Sequence, residues 1–425
     1  MREFTNYRNW NVCLLENRRI KLYAVPQLGG RLIQMEMDGH EFFFVNPLLA
    51  GKEPDSTRLG ENGTWLNYGG EKIWPAPQGW NSTDQWPGPP DPILDSGEYA
   101  AESKNEKELK LTSPVDSYTG LQITKEVSVA ETRTEVKVLV TFRNMGKISK
   151  RWSVWPVLQM NTPDENTGPY QIVCPVNPES KFSNGYKVMH GLVNNPQYSL
   201  NANGNVQVDY HYLVGKIGLD TNSGWAAFVD KKSGKTFILM SQFQDGKPYP
   251  EDTSFQVWTS GRGMVYSRNV IRQHPDDKKL NPPYMEMELL SPLQEIEPGK
   301  EIQYEYRMLA TTIPANETAL SANEFGVVAK PLRLKPEENG ISIQAKYGVF
   351  SEGILKIHRR NQEKEAPACL HKIEVNPSKG VDIDFFTNKS GQNSKATITV
   401  DFFDREGRFL GEIDRVMTNF TQEMK

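Results

Sequence analysis

Apolar and polar residues alternate in short runs along most of the chain. Arg19-Ile-Lys-Leu-Tyr-Ala-Val25 alternates up to Pro26, Gly29-Gly30 supplies a turn, and Arg31-Leu-Ile-Gln-Met-Glu-Met37 alternates again. Asp38-Gly39 is a strong two-residue hairpin signal before Glu41-Phe-Phe-Phe-Val45. After Asp95 the period-two pattern returns at Glu108–Thr112, Leu121–Val127, Thr134–Phe142 and Trp152–Met160. Further strands are predicted near 206–215, 225–229, 236–242, 255–259, 284–290 and 301–311. No 3.6-residue apolar period is sustained before residue 312, so the pattern predicts an all-β sandwich or barrel. The composition shifts at Thr311-Thr-Ile-Pro-Ala-Asn316, where a short helix is expected over Glu317–Glu324. From 330 to 425 about seven strands are expected, the count of a small immunoglobulin-like β-sandwich. The expected plan is a large β domain over 1–312, a linker over 313–329 and a second β domain over 330–425.

Composition narrows the function classes. The 425 residues are 37% hydrophobic and 24% charged, as in a globular chain. The net charge is −4 with both signs mixed, which offers no basic patch for nucleic acid or an anionic membrane surface. No apolar run is long enough to span a bilayer. Cys13, Cys174 and Cys369 are odd in number and far apart, so they predict free thiols rather than disulfides or a metal motif. No metal is expected, because the spacing of His274-Pro-Asp-Asp277 defines no known site, and no cofactor, because there is no P-loop or dinucleotide fingerprint; a nucleophile elbow is also absent. Met1-Arg-Glu-Phe-Thr-Asn6 lacks an apolar leader, which predicts a cytoplasmic protein, or a periplasmic one if a leader has been removed.

The densest chemistry lies in Thr64-Trp-Leu-Asn-Tyr-Gly-Gly-Glu-Lys-Ile-Trp-Pro-Ala-Pro-Gln78 and its continuation to Pro90. Trp65, Trp74, Trp80 and Trp86 fall here, with Asn67, Glu71, Lys72 and Gln78 between them. Aromatic faces can stack on the C–H groups of a sugar ring, while amides and charged groups bind its hydroxyls. The bland alternative is that these rings cap one end of the core. The prolines and Gly69-Gly70 predict a stiff, irregular loop that shapes a ligand cleft. In an extended strand Tyr284, Glu286 and Glu288 share a face, so one of the two carboxylates is expected to have a raised pKa. A cation is expected beside them, from Lys72, Arg31, Arg58 or Arg262. Trp155, Gln159 and Trp258, on other strands, complete the candidate cleft.

Residues 10–312 resemble the galactose mutarotase-like superfamily, close to an uncharacterised bacterial branch. Leu28-Gly-Gly-Arg-Leu-Ile-Gln-Met35 is similar to its opening hairpin. Asn67-Tyr-Gly-Gly-Glu-Lys-Ile-Trp74 stands where the sugar epimerases have Asn…His-Gly-Gly, and Phe255-Gln-Val-Trp-Thr-Ser260 resembles a Gln-x-Tyr-Thr strand. Glu286-Met-Glu-Leu-Leu-Ser-Pro-Leu293 resembles the strand that carries the family's catalytic glutamate. The resemblance implies a β-supersandwich in which Glu288 (or Glu286, two residues away) removes the anomeric proton and a histidine protonates the ring oxygen. The chain departs from the pattern at both histidine positions. Trp155-Pro156 replaces His-Pro, and Tyr68 replaces the histidine of His-Gly-Gly, which makes Tyr68 a candidate acid with an ordinary pKa near 10. His190 and His274 are expected in loops.

Three readings follow for a mono- or oligosaccharide partner. One is an aldose 1-epimerase-like isomerase with Glu288 as base and a tyrosine or a loop histidine (His190 or His274) as acid. Another is a sugar-binding module without catalysis in the same cleft. The third is a polysaccharide lyase or hydrolase, in which Glu71 pairs with Glu286 or Glu288 across about 5–9 Å.

Overall fold

The computed structural model describes residues 5–54, 65–163, 169–267, 270–360, 367–388 and 396–418. It divides into two compact units. The first comprises Met1–Glu131, Glu135–Phe228 and Leu239–Met308, and the second Thr132–Thr134, Val229–Ile238 and Leu309–Lys425.

Alternation builds the first unit as expected. Along Leu121–Val129 every second residue is buried, and Glu135–Asn144 repeats the pattern against it in antiparallel register. Strands of this kind form one antiparallel sheet of 12 strands and another of 10. The sheets face one another, since Lys125 and Tyr306 of the smaller sheet reach Glu71 of the larger. Trp152, Phe142 and Tyr306 lie fully buried in this unit. Each large apolar side chain so placed contributes about 1.5–3 kcal/mol. The Asp38-Gly39 turn forms as predicted, with both residues at positive φ (50° and 82°). It joins Arg31–Met37 to the short strand His40–Glu41.

Two expectations fail. The tryptophan-rich stretch is not irregular throughout, because Glu71–Ala76 is a fully buried strand inside the larger sheet. It pairs with Lys150–Asn161 in the register Trp74↔Trp155, and with Arg31–Met37 at Leu32↔Glu71. A strand buried on both faces shows no apolar/polar alternation. The expected helix over 317–324 is absent. Asn316 turns the chain at φ 66°, Glu317 holds Lys346, and Ser321–Ala322 pairs as a strand with Gly326–Glu337. Among the described residues the one helical element is the single 3-10 turn Pro250–Asp252.

The second unit is also all-β. Ser321–Ala322, Gly326–Glu337, Gly340–Val349 and Val381–Asn388 form one four-stranded sheet. Ala368–Val375, Gly353–Arg360, Ala396–Phe403 and Phe409–Thr418 form another. Ile343, Tyr347, Leu355, Ile357, Val400 and Phe402 fill the core of this sandwich. Phe409–Thr418 lies beyond the strands predicted from the sequence.

Candidate functional site

Five neighbouring strands of the 12-stranded sheet carry the site. In spatial order they are Glu71–Ala76, Lys150–Asn161, Tyr284–Leu289, Phe255–Thr259 and Gly215–Leu219. Side chains alternate between faces along each strand, and residues paired across strands share a face. Glu286 pairs with Gln159 on one side and Trp258 on the other. Glu288 pairs with Val157 and Gln256, Lys72 with Val157, and Lys216 with Trp258. The register therefore gathers Lys72, Trp74, Trp155, Gln159, Trp258, Lys216, Glu286 and Glu288 on the sheet face that points away from the 10-stranded sheet.

The two carboxylates are clamped in parallel ways. Glu286 Oε1 accepts from Lys72 Nζ at 3.2 Å and from Gln159 Nε2 at 2.8 Å. Glu288 Oε2 accepts from Lys216 Nζ at 2.8 Å and from Trp155 Nε1 at 2.9 Å. Among the described residues, Glu286 Oε2 and Glu288 Oε1 accept no hydrogen bond from the protein. Each ammonium also lies over an aromatic ring, Lys72 at 4.7 Å from the Trp74 centroid and Lys216 at 4.9 Å from Trp155. The expected cation beside the carboxylates is thus Lys72 for one and a lysine absent from the sequence prediction, Lys216, for the other.

Burial sets the titration of these groups. It pushes the Glu288 carboxyl above the ordinary carboxylate range. The Lys216 ammonium opposes that rise, Glu286 adds to it, and the Trp155 N–H opposes it. The Glu288 side chain is 1% exposed. Burial likewise lowers Lys72, against the pull of Glu286.

An open pocket of about 350 Å³ lies over the Glu288 end of this face. Trp155, Lys216 and Gln256 contribute to its base, and Gln78, Trp80, His190 and Tyr266 also line it. Glu288 stands behind Lys216 and Trp155 rather than in the wall. His190 lies in the strand Lys187–Gly191, not in a loop. Its ring rests 5.4 Å from Trp258, and Nε2 lies 2.8 Å from the Met264 carbonyl oxygen. Trp80 meets Tyr266 edge-on, with ring centroids 6.0 Å apart. Lys216, Gln256 and Tyr266 join the site only through strand order, whereas His190, named from the sequence as a loop histidine, reaches the pocket from a strand.

Several predicted site residues lie elsewhere. Glu71 is adjacent to Lys72 in a strand and so points the opposite way, between the sheets. There it meets Lys125 Nζ and the Tyr306 hydroxyl, each at 2.6 Å. This placement removes it from the cleft and from any glycosidase pair with Glu286 or Glu288. Tyr68 is fully buried against Trp10 in a cluster with Val12, Leu28 and Ile33, so it is not the acid of the site. Gly69 explains its direction. It adopts φ +97°, and a Cβ there would stand 2.0 Å from the Phe44 carbonyl oxygen, so only glycine makes this turn. Asn67 precedes that turn, and its carbonyl accepts from Asn46 Nδ2 at 3.0 Å. Trp74 and Trp86 are packing residues, with ring nitrogens bonded to Asp95 at 3.0 Å and Asp91 at 2.7 Å. Arg31 is buried on Asp95 at 3.0 Å, so it is not the cation of the carboxylates. Arg262 forms an exposed pair with Asp276 at 3.0 Å. His274 ends the strand Val270–His274, where burial lowers its pKa. Arg58 lies outside the described residues.

Among the described residues no cluster of three His, Cys, Asp or Glu could hold a metal ion, and no helix is long and apolar enough to cross a membrane. No curated protein matches the sequence. The chain is similar to two solved structures, among others. A "galactose mutarotase related enzyme" from Lactobacillus acidophilus is 11% identical, with 71% of this chain and 97% of that one covered and a TM-score of 0.45. A galactose mutarotase-like protein from Lactobacillus casei is 15% identical, with 70% and 99% covered and a TM-score of 0.44. Residues 11–309 match the model of a family described as a domain of unknown function, DUF4380, and the chain belongs to that family.

Proposed function

We propose that this face of the 12-stranded sheet is a saccharide-binding site. One observation carries the reading. Two carboxylates on one face are each held through a single oxygen by a lysine and a neutral N–H donor, which leaves the second oxygen of each without a protein partner. An ionised oxygen so placed is a strong acceptor for a hydroxyl. Lys216 and Trp155, which hold Glu288, themselves line the pocket, so the clamp fixes groups that a ligand meets before it arrives and lowers the ordering cost of binding. Trp155, Trp80 and Tyr266 add flat apolar surface beside them, and Lys216, Gln256 and His190 add donors. A ligand with several hydroxyls on a partly apolar ring matches that mixture.

Titration of tryptophan fluorescence with glucose, galactose, mannose and galacturonate tests the reading. A saturable change with at least one sugar is expected, and a flat response to all four would contradict it. Trp80 is half-buried and faces the pocket, so Trp80→Ala should weaken binding by about 1–2 kcal/mol without unfolding the chain.

A second reading, catalysed exchange of sugar anomers, is favoured by the raised Glu288. A carboxyl whose pKa has moved toward neutrality is a better proton acceptor in turnover than an ordinary one. Lys216 and His190 are among the proton-bearing side chains that line the same pocket, with Lys187, Glu251 and Tyr266, and are proposed as the acid.

A further inference from the structure

The pocket over Trp155 does not stand alone. A second open cavity of about 430 Å³ is lined by Pro77, Asp84, Ser149, Arg151, Leu293 and Glu295, among others. Pro77 belongs to both cavities and forms a shared wall. The sheet places them on one surface. Arg151, Ser153 and Trp155 alternate onto the same face of the strand Lys150–Asn161, and Glu295 is the cross-strand partner of Arg151. Four residues of extended strand separate Arg151 from Trp155 by roughly 14 Å. Small-molecule sites commonly fall near 300–1,000 Å³, so each cavity alone reaches the size of a site.

The second cavity also carries polar groups not used in holding the fold. Arg151, Asp84 and Glu295 are exposed, and among the described residues none of their charged ends has an ion-pair or hydrogen-bond partner. Lys150, beside them, donates to the carbonyl oxygens of Thr83 and Tyr118 at 3.2 and 3.0 Å, which ties the segment bearing Asp84 to the strand. Pro77 and Leu293 supply apolar surface between the charges. The mixture again suits a hydroxylated ring.

We propose that the protein binds a chain of linked sugars, with one ring over Trp155 and Lys216 and a further ring beyond Pro77 between Arg151 and Glu295. The inference rests on the saccharide reading above and adds the length of the ligand. A monosaccharide fills the first cavity only. A linear oligosaccharide runs along the sheet face past Pro77.

Calorimetric titration of the full chain with matched mono-, di- and trisaccharides of gluco, galacto, manno and galacturono configuration tests this. Affinity should rise at least tenfold from one ring to the longer members of one series. Arg151→Ala should remove most of that gain while leaving the monosaccharide affinity within twofold. Arg151→Lys, which keeps the charge, should restore part of it, as a merely structural role would not require. Equal affinity across the chain lengths would overturn the second subsite and leave the first intact. An Arg151→Ala variant that binds every length as tightly as the parent would also overturn it. Failure of all four series to bind would overturn the saccharide reading and this inference together.

Discussion

Replacing Lys125 by methionine should cost about 3–5 kcal/mol of folding stability, the scale for leaving one charge of a buried pair uncompensated. Lys125 and Glu71 are both fully enclosed, with side-chain exposure of 0% each. Lys125 Nζ donates to Glu71 Oε2 at 2.6 Å and to the Gly30 carbonyl at 2.9 Å, while Tyr306 donates to the other carboxylate oxygen. Methionine keeps much of the length but removes the cation and both hydrogen bonds. Glu71 must then stay charged without a cation or take up a proton. Either outcome loses stability, and the loss should grow as pH rises, since proton uptake by the native state offsets part of it at low pH. The double variant Lys125→Met with Glu71→Gln should recover a large share, because no uncompensated charge remains. Urea denaturation of the three variants checks this. A single variant within about 1 kcal/mol of the parent would show that the pair is not the closed ion pair described.

Glu288→Gln should act on function rather than on folding. Glutamine keeps the shape and can still accept from Lys216 Nζ and Trp155 Nε1. It removes the negative charge that burial opposes, and the Lys216 side chain, 16% exposed, retains access to solvent. The folded-state pKa of Glu288 is raised, so the parent binds a proton more tightly when folded. The contribution of Glu288 to stability is therefore greatest at low pH and falls as pH rises toward the raised value. Glu288→Gln removes that dependence, and its stability should equal or exceed the parent's at neutral pH. Saccharide affinity should fall by about 1.5–3 kcal/mol, the range for a hydrogen bond to a charged group. If the site exchanges anomers, the rate should fall by about 10²–10⁴, the range for loss of a general base. In the parent, binding should strengthen as pH rises through the Glu288 transition, and in Glu288→Gln that dependence should vanish. Polarimetry and titration across pH read both effects. Unchanged affinity, rate and pH profile would remove Glu288 from the site.

The strands and the shared face of Glu286 and Glu288 were legible because alternation is a local property. The partners of these residues were not, because strand order is set by the whole sheet. Lys216 lies 72 positions from Glu288 and meets it only because the Phe255–Thr259 strand brings the two strands together. Lys125 stands in phase with Leu121, Ile123, Val127 and Val129, all buried, so its inward direction could be read from the sequence alone. A lysine in the inward phase demands a buried counter-charge. The prolines around Glu71 suggest a loop, which would let Glu71 join Lys72 in the cleft. Once Glu71–Ala76 is a strand, neighbouring residues must point to opposite faces, and only Lys72 shares the face of Glu286. The tryptophans misled in a related way. Their clustering marked the right region, but Trp74 and Trp86 spend their ring nitrogens on Asp95 and Asp91 and pack inside.

The central claim is that the two half-clamped carboxylates receive a sugar. Diffraction from crystals soaked with the tightest-binding saccharide of the fluorescence titration tests it most directly. The account predicts a ring against Trp155, with hydroxyls within hydrogen-bond distance of Glu288 Oε1 or Glu286 Oε2 and of Lys216 Nζ. A saccharide seated elsewhere, with both carboxylates untouched, would contradict it.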